Sequence, residues 1–268
     1  MLSDLPKHEE LLLSAKRSMF FFIKSLTSTF NDDYDNCKQP PIGQTDAERV
    51  DAIMLSKESF LQTSLMILFN SAEIYLKSKI AEINVFLLLS DINQAKRNPQ
   101  KETSFYDCYS IDARQLPAIY EGISGNFFSS EFHKYYEEMR IDRNRVIHLG
   151  SSKKTNTSKQ LIVYFFCLHQ VIFGNSINDT FVELLVEEGI TKEEALDLAP
   201  TYTADFIDQL KTLFPIGESL IASFSAVSKI REWESCSTCS AVSSITEPKV
   251  FFSKNKFLCL SCGESSGV

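Results

Sequence analysis

Arg143, Asn144 and His148 put a permanent cation, an amide and an imidazole into one short run, Arg143-Asn144-Arg145-Val146-Ile147-His148. Arginine offers a planar fork of donors that matches phosphate, and histidine as a residue type exchanges protons near neutral pH. Together they suit gripping a phosphodiester and moving protons at it. Three of the eight arginines, Arg140, Arg143 and Arg145, fall here in a chain of net charge -8. From Arg140 to Lys159 the cations Arg140, Arg143, Arg145, Lys153, Lys154 and Lys159 face the single acid Asp142. That local field suits an anion, although an arginine-rich helix end is more often simply solvated and complements the helix dipole. Residues five apart lie roughly 140° apart around a helix, so Arg143 and His148 do not share a face, whereas Asn144 and His148 do. Leu149-Gly150-Ser151-Ser152 ends the helix, and a distorted last turn there would swing both side chains toward one cleft.

Cys236-Ser237-Thr238-Cys239 and Cys259-Leu260-Ser261-Cys262 form two C-x2-C pairs separated by 19 residues. Each pair directs two thiolates at one metal, and two pairs complete a tetrahedral zinc site. Four thiolates leave no open position, so the zinc expected here is structural. Binding energy on the order of 10–16 kcal/mol replaces a core that so short a segment could not build. Disulfides are disfavoured because the N-terminal residues do not read as a secretory signal and Cys37, Cys108 and Cys167 sit singly. Lys249–Ser253 and Lys256–Leu258 read as strands around a turn, and Gly263 permits the left-handed turn of a cysteine knuckle. Residues 234–264 thus resemble a zinc ribbon. Lys249, Lys254 and Lys256 beside Phe251 and Phe252 suit contact with nucleic acid or with protein, and a purely stabilising appendage fits as well.

The elements that must position these residues read as helices. A first helix is expected from about Asp4 to Phe30, a loop from Asn31 to Gly43, and a broken helical region from Asp46 to about Ser90. Residues 91–112 look like a mobile excursion. Helices follow at Leu116–Ser124 and Ser129–His148, and Ser151–Ser158 reads as a basic loop. Beyond it, helices are expected near 159–172, 177–189 and 191–198, then a long one from Ala204 to about Trp233 that Pro215 bends or splits. His8, His133 and His169 show no partner at useful spacing.

Within the second helical region, Leu61, Leu65, Leu68, Ala72, Leu76 and Ile80 recur at three- and four-residue steps around the centre Phe69-Asn70-Ser71-Ala72-Glu73-Ile74-Tyr75-Leu76-Lys77. An Ala-Glu-x-x-x-Lys helix followed by one ending in Arg-Asn-x-x-x-His resembles the HEPN superfamily, over roughly residues 50–175. The resemblance implies a helical bundle, a homodimer with two motif helices facing across one cleft, and a metal-independent endoribonuclease. In that chemistry the RNA 2'-hydroxyl attacks its own phosphorus, His148 is general acid or base, Arg143 stabilises the phosphoryl charge, and Asn144 orients His148 or holds phosphate. It also implies a toxin or defence effector, with RNA as substrate and a regulatory or neutralising protein as partner.

Length and composition bound the rest. With 268 residues, 44% hydrophobic content and 21 phenylalanines, the chain reads as a globular protein with a large aromatic core. The expected fold is mainly α, a HEPN-like bundle over 1–232 with a small β zinc ribbon over 233–268. No stretch is apolar enough to span a bilayer, so a cytoplasmic protein without membrane contact is expected. A pI near 5.2 excludes a general nucleic-acid coat but not a nuclease. The rival class is a non-catalytic HEPN-fold dimer whose ribbon binds a partner protein or nucleic acid. No phosphate-cradling glycine loop occurs among the nine glycines.

Overall fold

The apolar period around Ala72 becomes the buried stripe of one long helix: Leu61, Leu65, Leu68, Ala72, Leu76 and Ile80 are each no more than 3% exposed. This is a computed structural model, and it describes residues 2–38, 46–91, 103–149, 157–174 and 177–213 with the segments 233–235, 248–253, 256–259 and 265–267. The described residues are mainly helical. Eight helices run in the order α1 (His8–Lys38), α2 (Asp46–Ser56), α3 (Glu58–Asn84), α4 (Leu116–Ser124), α5 (Ser130–Leu149), α6 (Thr157–Ile172), α7 (Ile177–Glu187) and α8 (Lys192–Leu213). Strands β1 (Leu2–Ser3) and β2 (Thr103–Ser104) pair in parallel. No single helix among the described residues is long and apolar enough to cross a membrane.

Helix ends follow local chemistry. Ser129 accepts the Phe132 amide at 3.1 Å and so caps α5. Gly125 closes α4 in the left-handed conformation, φ 69°, and its amide donates to the Glu121 carbonyl at 3.0 Å. Between α7 and α8, the Gly189 amide donates to the Val186 carbonyl and the Ile190 amide to the Leu185 carbonyl, both at 3.0 Å, which satisfies the last carbonyls of α7. Thr191 and Glu194 then cap each other: the Glu194 amide donates to Thr191 Oγ1 at 3.3 Å and the Thr191 amide to Glu194 Oε2 at 3.4 Å.

Three expectations change. Helix α1 continues past Phe30 to Lys38, because the Asn and Asp that suggested a loop cost less than about 0.7 kcal/mol each in a helix already nucleated; residues 39–43 of that loop lie outside the described residues. Of the excursion expected over 91–112, residues 92–102 lie outside the described residues, and residues 103–112 are anchored. Phe105 and Ile111 are buried, the Ile111 amide donates to the Leu88 carbonyl at 2.9 Å, and the Ser90 amide donates to the Tyr109 carbonyl at 3.0 Å. The helices expected near 191–198 and from Ala204 are one, α8, which runs through Pro200 and is described as far as Leu213; the remainder of the expected long helix, 214–232, lies outside the described residues. A proline inside a helix costs about 3 kcal/mol, yet Ala195, Ala199, Thr203, Phe206 and Leu210 form one buried stripe across it, and that burial holds the two halves in line. Pro215 and the basic loop at 151–156 lie outside the described residues.

The chain divides into two compact units, 1–22 with 62–153, and 23–61 with 154–268. In the first, Met19 and Phe22 of α1, the α3 stripe from Leu65 to Ile80, Leu116 of α4 and Phe132, Tyr136 and Met139 of α5 are buried. Ser71 Oγ donates to the Ala15 carbonyl at 2.7 Å, a contact that only a small residue on α3 permits. In the second unit α6 is buried on every side from Leu161 to Leu168, as expected of a helix apolar all round. Phe165 meets Phe206 edge-on at 5.6 Å, and Phe206 meets Phe181 at 5.7 Å. That unit also carries an antiparallel sheet, β3 (Trp233–Ser235), β4 (Pro248–Ser253), β5 (Lys256–Cys259) and β6 (Ser265–Gly267), in the order β3-β4-β5-β6. The hairpin expected across 253–256 is its centre, with Phe251 opposite Phe257.

Candidate functional site

On α5, Phe132, Tyr136 and Met139 recur at steps of four and three residues and are all buried. The next step of four lands on Arg143. The arginine therefore continues the inward stripe, and its guanidinium carbon sits 5.6 Å from the centre of the Phe69 ring of α3. Phe69 in turn packs on Tyr136 at 5.5 Å. Arg143 Nη1 also donates to Asn144 Oδ1 at 2.9 Å, so ring and amide together fix the direction of the cation. Tyr136 donates to the Ala113 carbonyl at 2.8 Å, and burial, with the Glu73 carboxylate nearby, raises its pKa well above the usual phenol value. Glu73 accepts from Lys77 at 2.6 Å, so the charged pair of the α3 motif is an internal ion pair one helical turn apart.

His148 lies in the last turn of α5 and is exposed. The helix stays α-helical through it to Leu149, without the distorted last turn expected from the following glycine. Arg143 and His148 consequently leave the helix roughly 140° apart. One chain brings Arg143 together with Asn144 and does not bring Arg143 together with His148. The other two arginines are committed elsewhere. Glu137 accepts from Arg140 Nε and Nη2, both at 2.8 Å, which lowers the Glu137 pKa and raises that of Arg140, and Asp142 accepts from Arg145 at 2.9 Å. The local positive field is accordingly weaker than the sequence suggested, because Glu137 stands just before the stretch from Arg140 to Lys159.

Two histidines that looked unpartnered have close partners. His133 Nε2 lies 2.6 Å from Glu121 Oε1, which also accepts the Phe128 amide at 2.9 Å, so one carboxylate ties α4 to the start of α5. Gly125 reverses the chain between them, and no fixed sequence spacing announces such a pair. His169, in the last turn of α6, is 3% exposed and lies 2.6 Å from Thr180 Oγ1 of α7. It stacks on Phe173 at 5.5 Å, and burial pushes its pKa down to about 4. His8 contacts the neighbouring Glu9 at 3.0 Å.

In the C-terminal sheet, Ser235 of β3 is opposite Pro248 and Cys259 of β5 is opposite Lys249. Strands β3 and β5 both run antiparallel to β4, so their C-terminal ends lie at the same end of the sheet, one residue apart along β4. The first C-x2-C pair follows β3 directly and the second begins on the last residue of β5. Cys236, Cys239 and Cys262 lie outside the described residues. Among the described residues no group of three or more histidine, cysteine or carboxylate side chains is arranged to hold a metal ion. No family model matches the chain, and neither a characterised protein nor a solved structure matches it.

Proposed function

We propose that this chain is a metal-independent endoribonuclease of the HEPN type that acts as a homodimer. The observation that carries this reading is the preset Arg143 guanidinium, held over Phe69 and bonded to Asn144 at the same helix end as the exposed His148. A cation fixed in direction before substrate arrives costs no reorganisation when charge builds on a phosphoryl oxygen. The RNA 2'-hydroxyl attacks the adjacent phosphorus while one His148 takes its proton, Arg143 stabilises the equatorial oxygens, and an imidazole returns a proton to the leaving 5'-oxygen. Because Arg143 and His148 diverge on one regular helix, the reaction takes two α5 helices, the Arg143 of one copy facing the His148 of the other. Attack by the 2'-hydroxyl needs no metal-activated water, and DNA lacks the nucleophile. The resemblance to the HEPN superfamily extends the proposal to a defence or toxin role with a regulatory or neutralising protein as partner.

The zinc ribbon belongs to the same proposal. Four thiolates are the donor set of a closed structural zinc site, and the common end of β3 and β5 supports it, since both C-x2-C pairs start there. When bound, the metal supplies folding energy and no reactive position. Purified protein should carry about one zinc per chain, and Cys259→Ser should release it and unfold the sheet while helicity persists.

The second reading, a non-catalytic dimer that binds protein or nucleic acid, is favoured by the commitment of Arg140 and Arg145 to carboxylates. Cleavage of single-stranded RNA in EDTA, with zinc still bound, decides between them. Products ending in a 2',3'-cyclic phosphate and a 5'-hydroxyl, lost in His148→Ala, support the nuclease. Cutting that needs added Mg²⁺ and survives His148→Ala overturns it, and RNA or protein binding without cutting establishes the second reading.

A further inference from the structure

In the second unit, a partly open cavity of about 620 Å³ lies among the second half of α1, α7 and α8. That volume falls within the range of roughly 300–1,000 Å³ typical of small-molecule sites. Its walls come from residues one helical turn apart on each helix, and its floor is apolar: Ile23, Phe181, Leu185 and Phe206 are all buried. The rim is polar. Lys24 of α1 and Glu188, just after α7, form an ion pair and neutralise each other, and the Thr27 hydroxyl is spent on the Ile23 and Lys24 carbonyls. That leaves the exposed Asp205 as the uncompensated charge among the described residues that line the site. Beside it on α8 stands Tyr202, 48% exposed, its ring nearly parallel to that of Phe181 at 6.3 Å and 20°.

We infer that this cavity binds a small organic cation with a flat aromatic body, an arylalkylamine by chemical class. The body lies along the apolar floor beside Phe181 and Phe206, which pack edge-to-face at 5.7 Å. The ammonium group remains at the rim, where the Asp205 carboxylate and the Tyr202 ring both favour a cation and an anion would be repelled. A neutral ligand of the same shape gains the floor but not the rim. This inference is independent of the proposed nuclease activity, as none of its residues lies on α5.

Tryptamine, tryptophol and indole-3-acetate share one indole body and carry an ammonium, a hydroxyl and a carboxylate, so they serve as probes. Titrated into the full-length protein and followed by calorimetry or by shifts of assigned resonances, tryptamine should bind at one site per chain. It should bind about three- to tenfold more tightly than tryptophol, the gain expected of a rim ion pair. Indole-3-acetate should bind weakest. Asp205→Asn, an isosteric change at an exposed position, should make tryptamine and tryptophol equal, and Tyr202→Leu should weaken both. The inference is overturned if tryptamine does not bind at millimolar concentration, if the acetate is preferred, or if the ammonium-to-hydroxyl ratio is unchanged in Asp205→Asn.

Discussion

Helices α5 and α6 each carry a histidine in their last turn, His148 and His169, and treat it in opposite ways. His148 is exposed at the end of a helix whose outer face is charged. His169 is shut between Phe165, Phe173 and Thr180. A protonated histidine near a helix C-terminus gains about 0.3–1 kcal/mol from the dipole, up to about 2 in favourable sites. Burial of His169 outweighs that gain: lowering its pKa to about 4 corresponds to about 3 kcal/mol against the charged form. The same residue type at the same kind of position is thus a packing unit in one place and an accessible group in the other. The difference lies in the neighbours. Leu161–Leu168 bury α6 on every side, whereas α5 turns only one stripe inward.

The largest expected effect falls on the exposed member. His148→Ala should reduce RNA cleavage by about 10²- to 10⁴-fold, the usual worth of a positioned proton-transfer group, and change stability by less than about 0.5 kcal/mol. Parallel cleavage assays and urea titrations check both halves. A stability loss as large as that of a core residue would mean that His148 is packed in the working protein, and the contrast with His169 would fail.

Much of this arrangement was legible from residue spacing. The α3 stripe from Leu61 to Ile80, the whole of α4 and the span of α5 follow from period and from turn residues, which act locally. The environment of each motif residue was not. That Arg143 belongs to the inward stripe of α5 was available from its place four residues after Met139, but its spacing from Asn144 and His148 carried the reading instead. The His133–Glu121 and His169–Thr180 contacts depend on where chain reversals bring two helices together, and periodicity carries no such information. The break expected between 198 and 204 is absent for the opposite reason: the local cost of Pro200 is real, and buried positions on both sides of it outweigh it.

The second effect tests the buried member through pH. The folded-state pKa of His169 lies below its unfolded value of 6.5, so the unfolded chain binds the proton more readily. Its contribution is therefore fully present above about pH 6.5 and is lost as pH falls toward about 4, a decrease approaching 3 kcal/mol. Carboxylates also titrate at the acid end of this window, so the measured quantity is the difference between wild type and His169→Gln, whose amide can still reach Thr180. Urea unfolding at half-unit steps of pH should show the wild type losing stability faster than the variant as pH falls from 6.5. Parallel curves would mean that His169 takes up a proton in the folded state without penalty, and the burial that distinguishes it from His148 would not hold in solution.

The smallest effect concerns the cation beside the exposed histidine, and it asks whether α5 truly mixes an inward arginine with an outward imidazole. Arg143→Lys keeps the charge but loses the planar face over Phe69 and the fork that reaches Asn144, so a loss of about 1 kcal/mol is expected. Arg145→Ala, whose partner Asp142 is one turn away on the same helix, should cost no more than about 0.5 kcal/mol. The decisive measurement is a double-mutant cycle between Arg143→Lys and Phe69→Leu, which isolates the ring contact from the cavity that Phe69→Leu also creates. A coupling of about 0.5–1 kcal/mol is expected for a half-buried guanidinium on an aromatic face. Zero coupling would put Arg143 on the same footing as Arg145, as a solvated helix-end charge, and would remove the preset cation on which the nuclease reading rests.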